Sequence, residues 1–370
     1  MKILFFSPTG ARTGSEMVLW YLMKQLADSQ IQTAIYTGEA GELFLNESPT
    51  KHTFQYKKKR NFLYKIVETI VHKLTGKTPE QWYVQRIHKK FKPDFWYLNT
   101  VSMNQFAALA QKLNVPYILH VHEMISVFDT LQAHGFAKML NHSKMVICCS
   151  AAVEKQFKDM GATNVRLLHE FIDTEKVKVN TSAKDIRKRL NIPDDAYVWL
   201  MSGTICMRKG IDFIPDLLNH LPKDTYLVWL GSESEYSAYY YVKKRTELEH
   251  LNFIVLGNKG GNDYYDYLNL CDGFVLLSRE DPFPLVMIEA AYLQKPIVGF
   301  ESGGVAEFVV EGMGKVVPAF DVALMAESMQ QIMTKQLKID ADVLRDRALE
   351  FDVKIQAKKW QKLIETLTLN

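Results

Sequence analysis

The chain has 370 residues, of which 47% are hydrophobic, 24% charged and 12% aromatic. That is a globular composition and excludes a disordered or collagen-like polymer. Its 45 basic and 42 acidic residues leave a formal charge of +3, too balanced for a dedicated nucleic-acid binder.

At about 150 residues per domain, the length predicts two or three domains. The four cysteines, Cys148, Cys149, Cys206 and Cys271, form no C-x-x-C pair. This excludes a disulfide scaffold, leaves no visible zinc or redox motif, and fits a reducing cytoplasm. No run of about 18 apolar residues occurs, so no spanning helix is expected. The opening apolar run, Ile3 to Phe6, stops at Ser7. It is too short for the apolar region of a signal peptide and is expected to be a buried strand.

Residues 3–7 read as a strand, followed by a loop with Gly10 and Gly14 and a helix over 16–26. Apolar runs at 33–37, 95–99, 117–121 and 146–149 read as further strands, with helices at 102–113 and 151–160. The pattern then recurs. Strands are expected at 197–201, 226–230, 253–256, 274–277 and 297–300. Helices are expected from Gly210 to 221 and over 285–293. Residues 340–370 read as helical with an interruption at Phe351-Asp352. Strands alternating with helices predict an α/β protein with two doubly wound parallel sheets. The joint is expected near residues 173–184, where apolar runs give way to Thr, Lys and Ser.

Residues 57–77 open with Lys57-Lys58-Lys59-Arg60 and continue with Phe62, Leu63, Ile66, Val67, Ile70 and Val71. Two readings of this basic amphipathic stretch stay open: a solvated surface helix or a contact with anionic lipid headgroups. Gly76-Lys77-Thr78 imitates the end of a Walker A loop, but Val71 stands where its first glycine belongs. No G-x-G-x-x-G follows the first strand, which weakens a dinucleotide-dehydrogenase reading.

The most informative segment runs from Ser278 to Ala290. A strand ends, a polar loop carries Asp281, Pro282 and Pro284, and a helix carries Glu289. The loop and helix start present N–H groups to an anion. A carboxylate there can hold sugar or ribose hydroxyls, although an acidic residue at a helix start can also be a plain cap. With Glu289-Ala290-Ala291, Lys295-Pro296-Ile297-Val298 and Gly303-Gly304-Val305-Ala306-Glu307, this segment resembles the retaining GT-B glycosyltransferases of family 4 (group 1). The family pattern places an acidic residue eight positions before a Glu; here the first position is Asp281, one methylene shorter than the commoner Glu, with Glu280 beside it.

Other landmarks follow the family order. Gly14-Ser15-Glu16 resembles the glycine-rich loop after the first strand, with Thr13 replacing a glycine; a plain helix cap at Ser15 is the alternative. Gly203-Thr204-Ile205-Cys206-Met207-Arg208-Lys209-Gly210 resembles the family's diphosphate loop, with Thr204 replacing its Arg and Arg208 as an additional cation. His122-Glu123 resembles the family's sugar-contacting His and the acidic residue after it, with His120 as second choice. His120-x-His122 has no third metal ligand placed by sequence. Asn99 and Ser150 lie at carboxyl ends of strands, where open sheets bind ligands, and join Ser15 and His120 as acceptor-contact candidates. His169-Glu170-Phe171-Ile172-Asp173 takes the place of the interdomain turn, and Gly257-Asn258 that of a base-binding loop.

The resemblance implies two Rossmann-like domains facing across a cleft. They would comprise residues 1–174 for the acceptor and 175–352 for a nucleotide-sugar donor, with helix 353–370 packing back on the first. It implies hexosyl transfer with retention to a glycan or lipid-linked acceptor, in cell-surface polysaccharide synthesis, without a metal or other cofactor. Lys209 and Arg208 would stabilise the departing diphosphate. Glu289 would hold the ribose; Asp281 and the backbone of Phe283, Pro284 and Leu285 would orient the sugar, with Gly14, Gly203 and Asn258 in the donor site. His122 would act near the reacting carbon. The expected location is cytoplasmic or peripheral at the inner face of a membrane, with no nucleic-acid partner. A sugar-nucleotide epimerase, a glycan phosphorylase and a non-catalytic glycan-binding protein are the alternatives on the same fold.

Overall fold

The computed structural model describes residues 1–27, 29–57, 62–124, 126–127, 136–261 and 263–368. It divides into two compact units. The N unit comprises Met1–His169 and Gln356–Asn370, and the C unit comprises Glu170–Ile355.

The N unit holds β1 (Lys2–Ser7), β2 (Gln32–Thr37), β3 (Thr53–Gln55), β4 (Phe95–Leu98), β5 (Tyr117–Val121), β6 (Met145–Cys148) and β7 (Val165–Leu167). They form one sheet in the order β3-β2-β1-β4-β5-β6-β7, with every pairing parallel. Helices between strands cover a parallel sheet on both faces, so its strands read as unbroken apolar runs. Accordingly β4 and β5 are buried at every residue. Trp360, from the C-terminal helix Val353–Thr368, is fully buried. Its ring lies 6.4 Å from that of Phe5 and 5.9 Å from that of Tyr97, and its Nε1 donates to the Tyr97 hydroxyl at 3.2 Å.

The C unit holds β8 (Val198–Ser202), β9 (Tyr226–Leu230), β10 (Phe253–Val255), β11 (Gly273–Leu276), β12 (Ile297–Phe300) and β13 (Gly314–Val317). Their order is β10-β9-β8-β11-β12-β13, again parallel throughout. Trp199, Met201, Trp229, Val275 and Phe300 share its core with Leu217 and Met329 from the covering helices. In each sheet the strand order turns back beside the first strand, between β1 and β4 and between β8 and β11. The crevice outside the carboxyl ends at such a switch point is where open α/β sheets bind ligands.

Several elements differ from the sequence expectation. Strands β3, β7 and β13 are only three or four residues long, too short to show a period. The helix expected from Gly210 is interrupted. Two 3-10 turns, Met207–Lys209 and Ile211–Phe213, precede a helix over Ile214–His220. Gly210 is the reason: its φ is +78°, and a Cβ there would lie 2.2 Å from the Leu277 carbonyl oxygen. The helix Pro79–Phe91 lies outside the sequence expectation although its start is signalled, since Thr78 and Gln81 form a capping box with Pro79 at the first helical position.

Of the basic stretch, residues 58–61 lie outside the described residues, and Phe62–Thr75 is a helix. Ile66, Ile70 and Leu74, four residues apart, are 42%, 51% and 79% exposed. Among the described residues no helix is long and apolar enough to cross a membrane.

Candidate functional site

In the C unit the loop after β8 and the loop after β11 meet. Gly203 follows β8 with φ +138°, and the Lys209 stem passes over it, with Cε 3.5 Å from where a Cβ would stand. The Lys209 ammonium is ion-paired with Asp281, the two side chains being 12% and 8% exposed. Asp281 also accepts from the Ser278 hydroxyl at 3.0 Å. Its N–H donates to the Ser302 carbonyl at 2.8 Å, and its own carbonyl accepts from the Gly304 N–H at 3.2 Å. The Gly303-Gly304 turn is thereby laced to Asp281. Such a buried pair needs these extra hydrogen bonds, because desolvation offsets most of the Coulomb gain.

Glu289 lies in the helix Leu285–Tyr292 and is buried. Its two oxygens accept from the hydroxyls of Tyr264, at 2.8 Å, and Tyr265, at 3.1 Å. Burial raises its pKa, and the two tyrosine donors pull it back down. Both tyrosines come from the helix Asp263–Leu268 and were not anticipated. A hydrogen bond between distant side chains leaves no local pattern.

The remaining donor candidates take varied places. Pro284 precedes the Leu285–Tyr292 helix, whose N-terminus has no side-chain cap. The Phe283 ring is core, packed against Phe308 and Phe351 at 6.1 and 5.2 Å, which leaves only its backbone for a ligand. Arg208 is exposed and donates to the Glu280 carbonyl at 2.7 Å. Asn258 is exposed and follows Gly257, whose carbonyl accepts from the Gly231 N–H at 3.1 Å.

The N-unit candidates gather at the carboxyl ends of β1, β4 and β5, except Ser150, which follows β6. Thr13, not Ser15, is the N-cap of the helix Gly14–Leu26. Gly14 is therefore its first residue, with open space where a Cβ would stand. Glu16 is buried and accepts from the hydroxyls of Ser7, Thr13 and Ser15. Burial raises its pKa. Asn99 donates Nδ2 to the Ser15 carbonyl at 3.0 Å. Its Oδ1 is then the acceptor for His122 Nε2 at 3.1 Å, which assigns a proton to that nitrogen. Glu123 accepts from the Val101 and His122 N–H groups, and burial pushes it up to about 7.

His120 and His122 share a face, their ring centroids 4.0 Å apart. Their environments differ. His120 is buried, which holds its pKa well below the usual value. The Tyr97 hydroxyl accepts from Trp360 Nε1 and shares a hydrogen bond with His120 Nδ1 at 2.8 Å.

Three acceptor candidates are buried. Asn99 and Ser150 are 0% exposed and His120 only 2%. Ser150 instead caps the helix Ala151–Asp159 by accepting from the Val153 N–H at 3.2 Å. Ser15 remains half-buried with its carbonyl held by Asn99.

With this geometry in view, the comparisons decide the family. The family described as glycosyl transferases group 1 matches residues 182–350, and glycosyltransferase family 4 matches residues 12–176. The chain belongs to the family 4, group 1 glycosyltransferases. A Bacillus subtilis glycosyltransferase named for teichuronic acid biosynthesis, TuaC, is 23% identical over 270 residues, 71% of this chain and 67% of the relative. The lipopolysaccharide 1,2-N-acetylglucosaminetransferase of Salmonella typhimurium is 27% identical over 54% of this chain and 52% of its own. The chain thus spans half to two thirds of these relatives. Anabaena HepE, solved in complex with UDP, superposes with a TM-score of 0.82 at 20% identity over 100% of both chains. The two units of this glycosyltransferase thus carry the GT-B fold.

Proposed function

We propose that this glycosyltransferase moves a hexosyl group, with retention at the anomeric carbon, from a nucleoside diphosphate sugar to a hydroxyl of a glycan or lipid-linked acceptor in cell-surface polysaccharide synthesis. The observation that carries the reading is the Lys209–Asp281 pair at the β8–β11 switch point, with Glu289 on the helix that follows. HepE has been solved with UDP and with UDP-glucose, which supports a nucleotide-sugar donor.

The leaving diphosphate gains negative charge as the glycosidic bond breaks. Lys209 turns from Asp281 toward that charge, and Arg208 adds a second cation from the same loop. Fixed donors are worth most when aimed where charge develops. Asp281, released from Lys209, accepts from sugar hydroxyls, while the Phe283 and Leu285 backbone N–H groups steady the sugar. Glu289 accepts from the ribose hydroxyls. His122, held by Asn99, acts beside the reacting carbon, and no metal or other cofactor takes part.

The exposed Ile66, Ile70 and Leu74 stripe, with Lys73 and Lys77 nearby, favours docking of the N unit on an anionic membrane, where basic amphipathic helices lie in the interface. A cytoplasmic enzyme held at the inner membrane face fits a lipid-linked acceptor. A thermal-shift panel of UDP-, GDP- and ADP-sugars tests the donor reading. One of the three nucleotides is expected to raise Tm; stabilisation by none of them contradicts it.

A further inference from the structure

Arg279 stands just after β11, two residues before Asp281, and its side-chain hydrogen bonds run to the loop that carries Lys209. Its guanidinium donates Nη1 to the Met207 carbonyl at 2.5 Å. It also makes a bidentate pair with Asp212, Nη1 at 2.8 Å and Nη2 at 2.7 Å. The guanidinium carbon lies 4.2 Å from the Phe213 ring centroid and 5.8 Å from that of Phe320. The Arg279 N–H donates to the Arg208 carbonyl at 2.8 Å. In return the Arg208 guanidinium donates to the Glu280 carbonyl at 2.7 Å. One side chain thus ties down both 3-10 turns, Met207–Lys209 and Ile211–Phe213, on either side of Gly210.

We propose that Arg279 is a positioning residue for transfer: its brace to Met207, Asp212 and Phe213 holds the 207–212 loop so that Lys209 meets the departing diphosphate. This rests on the Lys209 role argued above. Short 3-10 turns have poor internal hydrogen-bond geometry and need outside support. A cation that must stabilise developing charge gains by being fixed beforehand. Only the planar guanidinium fork can bind two carboxylate oxygens, cap a carbonyl and stack on a ring at once; a lysine keeps the charge and loses that geometry.

The test compares Arg279→Lys and Asp212→Asn with the wild-type chain. The first readout is amide hydrogen exchange of residues 207–212 in the protein without nucleotide. Both variants are expected to exchange about tenfold faster there, as expected for loss of hydrogen bonds to a charged group, with β8 unchanged. The second is turnover, followed as nucleoside diphosphate release, with whichever of UDP-, GDP- and ADP-glucose most stabilises the wild-type protein. There kcat is expected to fall about tenfold and donor KM to change by less than about threefold. In a Lys209→Ala background, Arg279→Lys is expected to add less than about a twofold loss, because both changes act through one ammonium. Unchanged exchange in both variants overturns the brace. A full tenfold further loss in the Lys209→Ala background overturns its action through Lys209. Normal turnover in Lys209→Ala alone instead contradicts the diphosphate reading and leaves the exchange result to judge the brace. If Arg279→Lys melts early, Asp212→Asn carries the decision.

Discussion

In the C unit the carboxylate after β11 is matched by a cation: Asp281 pairs with Lys209, and their loops are cross-tied by Arg279 and Arg208. In the N unit the carboxylates near the ends of β1 and β5, Glu16 and Glu123, gather around an imidazole, and burial raises both pKa values. The same α/β switch point therefore hosts two kinds of electrostatics. One suits an anion that must be met by fixed positive charge. The other keeps protons at hand beside His122. Under the proposed function, glycosyl transfer would divide between these needs, a diphosphate that leaves and a hydroxyl that arrives.

The harshest way to break the comparison is to remove the N unit's support. Trp360→Ala empties a fully buried site shared with Phe5 and Tyr97. It should cost about 3–5 kcal/mol, measured as a lower denaturant midpoint. It also removes the donor to Tyr97, so the His120 environment should change by NMR. Next is Lys209→Ala, expected to lower kcat by about 100- to 1000-fold with a smaller change in donor KM, measured by steady-state kinetics. Gly210→Ala should reach a comparable loss, because its Cβ would strike the Leu277 carbonyl and shift the loop that carries Lys209. Far-UV circular dichroism should stay unchanged.

The smallest effect sharpens the N-unit half. Glu123 rises from 4.5 to about 7 when folded. Between those values the folded chain holds a proton that the unfolded chain has released, so stability falls as pH rises from 4.5 to about 7. Glu16 and Glu289, also raised by burial, contribute with the same sign. Glu123→Gln should flatten part of that fall in a series of thermal melts, with little change at pH 4.5.

How much of this was legible follows from the range of each interaction. Buried parallel strands such as β1, β5 and β12 announce themselves because both faces are covered and the run is apolar throughout. Asp281, Glu289 and the Gly303-Gly304 turn stand within one stretch of chain and were readable together. The tyrosines on Glu289 lie 24 and 25 residues away, and Arg279 reaches Asp212 across 67. No local spacing encodes such pairs. Asn99, His120 and Ser150 were correctly put at strand ends, yet sequence does not say how deep a strand end lies. Asn99 is buried holding His122 and Ser150 is buried capping a helix, which sequence position alone does not show.

In the proposed function, the C unit binds the donor nucleotide through Glu289. Titration calorimetry of wild type and Glu289→Ala, with whichever of UDP-, GDP- and ADP-glucose stabilises the wild-type protein most, tests it directly. Loss of hydrogen bonds to a charged group, about 1.5–3 kcal/mol each, predicts donor binding weakened by at least about a hundredfold in a protein that remains folded. Wild-type affinity in Glu289→Ala would contradict the account.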